Sequence, residues 1–73
     1  MDTFEVEALI YAVSQELWPR YAHRNGNIRR SVEEVRHLPI EEAFDAAFGG
    51  SYLSTKKDKL LEIARNWNGI HEG

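Results

Sequence analysis

The sequence contains no cysteine, only two prolines and no long apolar run. Without cysteine the chain can form neither a disulfide, nor a thiolate nucleophile, nor a cysteine-ligated metal site, and this composition fits an intracellular location. A membrane-spanning helix needs roughly 20 apolar residues in succession, which no segment approaches. The first residues are acidic, whereas a secretory leader begins with basic ones. We therefore expect a cytoplasmic protein that makes no contact with a membrane.

The length of 73 residues limits the chain to a single small domain, residues 1–73. A domain of this size buries only roughly 60% of the surface of its extended chain, which leaves little room for an enclosed cleft. Hydrophobic residues make up 42% and charged residues 29% of the chain. This balance is typical of a folded globular domain and not of a disordered segment.

Apolar residues recur at helical spacing in four segments, and no segment alternates as a strand does. We therefore predict an all-α fold, a small compact bundle of three to four short helices. The predicted helices run from Thr3 to Leu17, from Ser31 to Leu38, from Ile40 to Phe48, and from Ser54 or Thr55 to Trp67. The tail, residues 70–73, is expected to be frayed.

Residues that cap or interrupt helices mark the expected starts. Asp2 or Thr3 can accept hydrogen bonds from the free amides in the first turn of the first helix. The stretch Asn25-Gly26-Asn27 tolerates positive φ and predicts a break in helical structure. Ser31 and Glu34 form the S-x-x-E pattern of a capping box, which places the start of the second helix at Ser31.

Proline and glycine mark the expected ends. Pro19 disfavours helical geometry at Trp18, so the first helix should end there, and a short helical turn can follow the proline. Pro39 suits the first position of the third helix. Gly49-Gly50 predicts a left-handed termination of that helix.

No arrangement of residues carries an enzymatic mechanism. The histidines, His23, His37 and His71, are far apart in sequence, and no pair has the i, i+4 spacing of a helical metal site. The adjacent carboxylates Glu33-Glu34 and Glu41-Glu42 point about 100° apart on a helix, so they cannot share a proton. We expect no enzyme activity, no cofactor, no metal and no small-molecule substrate.

Direct DNA binding is one interpretation of the C-terminal half. The helix from Ile40 to Phe48, a glycine turn and the helix from Thr55 to Trp67 resemble a helix-turn-helix, with Lys56, Lys57 and Lys59 at the start of the second helix. A pI near 5.5 lacks the overall basic charge of a nucleic-acid-binding domain. A repressor that uses the 55–67 helix is therefore the alternative hypothesis.

Protein binding fits the composition better. Two tryptophans, three tyrosines and three phenylalanines are more than a core of this size easily hides, and Trp, Tyr and Arg most often anchor interfaces. The basic aromatic segment, residues 18–30, concentrates these types. The predicted partner-binding residues are Trp18, Arg20, Tyr21, Arg24, Arg29 and Arg30. The structural alternative is that Trp18 and Tyr21 close one end of the bundle and that the arginines are solvated or paired within the chain.

Three stretches resemble a known group of proteins. These are Met-Asp-Thr-Phe-Glu-Val-Glu at residues 1–7, Tyr-Ala-His-Arg-Asn-Gly-Asn at residues 21–27 and Asn-Trp-Asn-Gly at residues 66–69. Taken with the chain length, they resemble the small phage-encoded transcription regulators that bind bacterial RNA polymerase. The resemblance implies a non-enzymatic inhibitor of transcription initiation that binds the β and β′ subunits and disturbs σ-factor association. It leaves antitermination open as a second activity and assigns no role to individual residues.

Overall fold

The computed structural model describes residues 1–18 and 25–68. The helices are α1 (Thr3–Leu17), α2 (Asn25–Glu34), α3 (Ile40–Phe48) and α4 (Lys57–Asn66), and a 3₁₀ helix (Tyr52–Lys56) runs directly into α4. Neither described range contains a strand, and the all-α prediction is confirmed. Helix α1 is the centre of the bundle, because α2, α3 and α4 all pack against it. The short turn expected after Pro19 and the expected frayed tail lie outside the described residues.

Helix α1 has the predicted bounds because both of its ends are capped. The Asp2 carboxylate accepts the Glu5 backbone N–H at 2.7 Å, and the Glu5 side chain accepts the Asp2 N–H at 3.3 Å. This reciprocal pair satisfies two amides that no helical carbonyl can reach. At the other end, Trp18 leaves helical geometry with a ψ of 141°, as the following proline requires.

Helix α2 runs from Asn25 to Glu34, so three predictions are wrong. It ends before Leu38, because the backbone bonds after Glu34, such as Leu38 N–H to the Val35 carbonyl, are those of turns. Asn25-Gly26-Asn27 does not interrupt helical structure but forms the first turn. Ser31 consequently lies in the interior of α2 and does not cap it. The physical reason is burial: Ile28 and Val32 are four residues apart and both lie in the core. A helix that begins at Ser31 would leave Ile28 outside this packing, and tertiary burial outweighs the weak local preference of Asn and Gly.

Helix α3 has the predicted bounds, with Pro39 immediately before its first residue. The Pro39 carbonyl accepts the Ala43 N–H at 2.8 Å. After the helix, Gly49 packs so close to the Asp45 carbonyl that an added Cβ would lie 2.4 Å from its oxygen. Gly50 has a φ of +81°, the left-handed conformation that favours glycine. The glycine pair therefore terminates α3, with the left-handed residue at Gly50.

Helix α4 starts two to three residues later than predicted. The Ser54 and Thr55 hydroxyls donate backwards to the carbonyls of Ser51 and Tyr52, and the N-cap of α4 is Lys56, with no side-chain capping bond. They stabilise the 3₁₀ helix instead, which buries Leu53. The α-helix ends at Asn66, one residue before Trp67.

One hydrophobic core joins the four helices and the 3₁₀ helix. Its fully buried larger side chains are Phe44, Leu9, Leu60, Val6, Val13 and Val32. Phe44 and Phe48 meet edge to face with ring centroids 5.4 Å apart, which is a favourable aromatic geometry. None of the buried residues in the described ranges is polar or charged. The interior is therefore a packing core, and the chemistry of the protein lies on its surface.

Candidate functional site

The basic aromatic segment divides between described and undescribed residues. Arg20, Tyr21 and Arg24 lie outside the described residues, so their predicted roles stay predictions. Trp18 lies at the end of α1 and exposes 65% of its surface. An indole this open to solvent is not a side chain that closes the bundle end. It is a large apolar group on the surface.

Arg29 and Arg30 are neighbours on α2 with different environments. The Arg29 guanidinium donates to both Glu7 carboxylate oxygens, at 2.5 and 3.0 Å, and so ties α2 to α1. The hydrogen bonds that Arg29 donates to Glu7 raise the pKa of Arg29 above its usual range. Arg30 is exposed and forms no ion pair with any residue of the described ranges. Among the predicted contact arginines that the structure describes, Arg30 is therefore the one whose charge is open to a partner.

The lysines at the start of α4 are largely neutralised within the chain. Lys57 donates to both carboxylate oxygens of Asp45 at 2.8 Å. Lys59 reaches a Glu16 oxygen at 3.4 Å. Lys56, the residue before α4, has no ion pair within residues 1–18 and 25–68. Of the lysines expected to contact DNA, only Lys56 therefore lacks an ion pair among the described residues, although its charge also acts on Glu16.

A second exposed aromatic side chain is Tyr52 in the 3₁₀ helix. The Tyr52 hydroxyl donates to Glu16 at 3.0 Å. Together with Lys59, this hydrogen bond holds the pKa of Glu16 below its usual range. Tyr52 nonetheless exposes 60% of its surface. Trp18 and Tyr52 are thus two exposed aromatic side chains, and the second contacts α1 through Glu16.

An aromatic groove between α1 and α4 was not identified as a site from the sequence. Trp67 stacks on Tyr11 with ring centroids 5.8 Å apart and meets Phe4 at 5.1 Å. Phe4 and Tyr11 are seven residues apart, so they lie on one face of α1. The groove has a volume of about 470 Å³, and its lining is Tyr11, Lys59, Glu62, Ile63, Asn66, Trp67 and Asn68. In the sequence, these aromatics appeared only as parts of two amphipathic faces.

Two further findings concern the described residues alone. Within residues 1–18 and 25–68, no three histidine, aspartate or glutamate side chains are placed to hold a metal ion together. In the same ranges, no helix combines the length and the apolar character that crossing a membrane requires.

Comparison of the chain with known protein families, with curated proteins and with solved structures finds no match in any of the three. The surface geometry and the resemblance noted in the sequence are therefore the basis for a proposal about function.

Proposed function

We propose that the protein is a non-enzymatic, protein-binding regulator and that its partner is bacterial RNA polymerase. In this proposal it inhibits transcription initiation in the host cytoplasm by binding the β and β′ subunits and disturbing σ-factor association, with antitermination as a second activity. The resemblance supplies the identity of the partner. The exposed aromatic and basic residues supply the contact surface.

The observation that carries the proposal is the exposure of Trp18. Tryptophan is the residue type most enriched among side chains that dominate binding energy, because its burial in a partner pocket removes a large apolar area from water. Its 65% exposed surface is a cost to the free protein that a partner would remove. Tyr52 is a second exposed aromatic side chain, but its hydroxyl is engaged by Glu16, so the proposed contact rests on Trp18.

Arg30 supplies the charge of the contact. An uncompensated guanidinium favours an acidic partner surface and mainly raises the rate of association. Arg29, also predicted as a contact, has its guanidinium engaged by Glu7. Reversal of Arg29 to Glu would place two carboxylates together and weaken the α1–α2 contact. A test of binding therefore leaves Arg29 unchanged.

The proposal is tested with purified polymerase core and holoenzyme on a biosensor. Trp18→Ala should weaken binding about tenfold, the loss typical of a central interface aromatic. Arg30→Glu should lower the association rate with a smaller effect on dissociation.

Lys56→Glu is the matched control, a charge reversal outside the proposed surface, and should bind like the parent. Circular dichroism verifies that each variant is folded. Parent-like binding by both Trp18→Ala and Arg30→Glu would refute the surface, and no binding by the parent would refute the partner.

The helix-turn-helix repressor is the second candidate, and the free charge of Lys56 at the start of α4 is the observation that favours it. The same variants separate the two functions in a gel shift with naked promoter DNA. A repressor would retard DNA without polymerase, would lose binding by about 0.9 log unit per tenfold rise in salt for each phosphate contact, and would be weakened by Lys56→Glu. The proposed regulator alters DNA migration only when polymerase is present.

A further inference from the structure

The aromatic groove between α1 and α4 has an apolar wall that includes Tyr11 and Trp67. Trp67 bridges Phe4 and Tyr11 and is only partly buried, while Phe4 exposes half of its surface. Ile63 completes the apolar lining. Aromatic faces of this kind attract planar or cationic groups as well as apolar ones, because the π-system is negative over the ring.

The polar side chains at the rim of the groove determine which of these groups, planar, cationic or apolar, fits best. Lys59 lines the groove, but its ammonium is directed to Glu16. Glu62 lines it as well, is exposed, and forms no ion pair within the described part of the chain. The Asn66 side-chain nitrogen donates to the Glu62 carbonyl at 2.9 Å, which leaves the Asn66 side-chain oxygen as an acceptor. The rim therefore offers an uncompensated carboxylate and an amide oxygen.

We infer that this groove binds an arginine side chain presented by a partner protein segment. A guanidinium is planar and stacks on aromatic rings, and its five N–H donors match the carboxylate of Glu62 and the oxygen of Asn66. A lysine ammonium carries the same charge but cannot stack as a plane or form a two-pronged contact. An apolar side chain would leave the Glu62 carboxylate without a partner.

This surface is separate from the one proposed to bind polymerase, and the inference does not depend on that function. Phe4 lies near the beginning of α1 and Trp18 at its end, about 20 Å apart along a helix that rises 1.5 Å per residue. The charge preference is also opposite, because the groove selects a cation and Arg30 selects an anion.

The test is an NMR titration of the full chain with three capped tripeptides, acetyl-Gly-X-Gly-amide, in which X is arginine, lysine or leucine. The two tryptophan indole N–H signals report separately on the groove, through Trp67, and on the end of α1, through Trp18. The arginine peptide should shift the Trp67 signal saturably and leave the Trp18 signal in place. It should bind at least threefold more tightly than the lysine or leucine peptide.

Variants test the carboxylate directly. Glu62→Gln should weaken the arginine peptide about threefold, the loss expected for a single solvent-exposed ion pair. Glu42→Gln, an exposed glutamate on α3, is the matched control and should bind like the parent. Equal affinity for the three peptides, equal movement of the two indole signals, parent-like binding by Glu62→Gln or no shift of the Trp67 signal would each overturn the inference. Loss of polymerase binding in the earlier experiment would leave all of these outcomes unaffected.

Discussion

The charged side chains on the surface of the protein differ mainly in whether an oppositely charged residue of the same chain already neutralises their charge. Arg29 and Arg30 are adjacent and chemically identical, yet only Arg29 faces a carboxylate on α1. The lysines at the start of α4 differ in the same way, since Lys57 and Lys59 have acidic partners and Lys56 has none among the described residues. Exposed ion pairs contribute little to stability, typically up to about 1 kcal/mol. Their larger effect here is to determine which charges remain available to another molecule.

Glu16 gives a prediction at the scale of a single residue. Hydrogen bonds from Tyr52 and Lys59 lower its pKa in the folded protein, so the unfolded chain takes up the proton first as the pH falls. The stabilisation that its carboxylate provides is therefore present above the ordinary glutamate pKa of about 4.5 and is lost as the pH drops below that value. In Glu16→Gln the difference in unfolding free energy from the parent should be present at pH 7 and shrink below about pH 4.5.

Urea unfolding monitored from pH 7 to pH 3 measures this difference. Glu42→Gln, which removes a carboxylate without a hydrogen-bond partner among the described residues, should give a curve parallel to that of the parent. A constant offset between Glu16→Gln and the parent across the whole range would contradict the predicted role.

At the scale of elements, the bundle shows how far local signals determine where a helix begins. Helices α1 and α3 have the bounds expected from apolar spacing, a capping carboxylate and a proline. Helix α2 does not, because Ile28 and Val32 both enter the core and the chain between them must turn once. The S-x-x-E pattern at Ser31 and Glu34 occurs there without capping a helix. The spacing of buried residues is thus a stronger indicator of a helix start than a capping pattern is. Only the packed structure, however, shows which apolar residues are buried.

The capping roles predicted for Asp2 and for Ser31 can be compared directly. Asp2→Ala should cost about 1 kcal/mol of unfolding free energy, because the Glu5 amide in the first turn of α1 loses the carboxylate that caps it. Ser31→Ala should leave stability unchanged or raise it slightly, because alanine is the better residue in a helix interior. Urea denaturation followed by circular dichroism measures both. If Ser31→Ala lowered the unfolding free energy by about 1 kcal/mol, Ser31 would act as a helix cap, and α2 would begin at Ser31 as the capping-box pattern predicts.

At the scale of the whole molecule, one shared core makes the helices depend on one another. Isolated helices of 9 to 15 residues are marginal in water, so none of these should persist alone. Stability of about 0.05–0.15 kcal/mol per residue gives a chain of this length roughly 4–11 kcal/mol in total. Removal of one central side chain should therefore affect all helices together.

Phe44→Ala tests this cooperativity. Phe44 is fully buried, and its truncation should cost about 3–5 kcal/mol through lost burial and a cavity. In Phe44→Ala, helical content and tryptophan fluorescence should decrease in one coincident transition, at a lower urea concentration than in the parent. Phe4→Ala is the control, because half of that ring is already exposed, and its loss should be clearly smaller. Separate transitions for the two signals would show that the helices do not share one core.

The amino-acid sequence by itself determined the helical class, the bounds of α1 and α3, and the terminating glycines, because apolar periodicity, capping and φ preferences act between near neighbours. The tertiary structure alone decided the start of α2, the pairing of Arg29 with Glu7, and the stacking of Trp67 across Phe4 and Tyr11. These depend on residues 22 to 63 positions apart in the chain, and no local pattern records which distant side chains will meet. The two surfaces proposed for binding follow from that distribution, because Trp18 and Phe4 stay exposed and Arg30 and Glu62 form no ion pair within the described part of the chain.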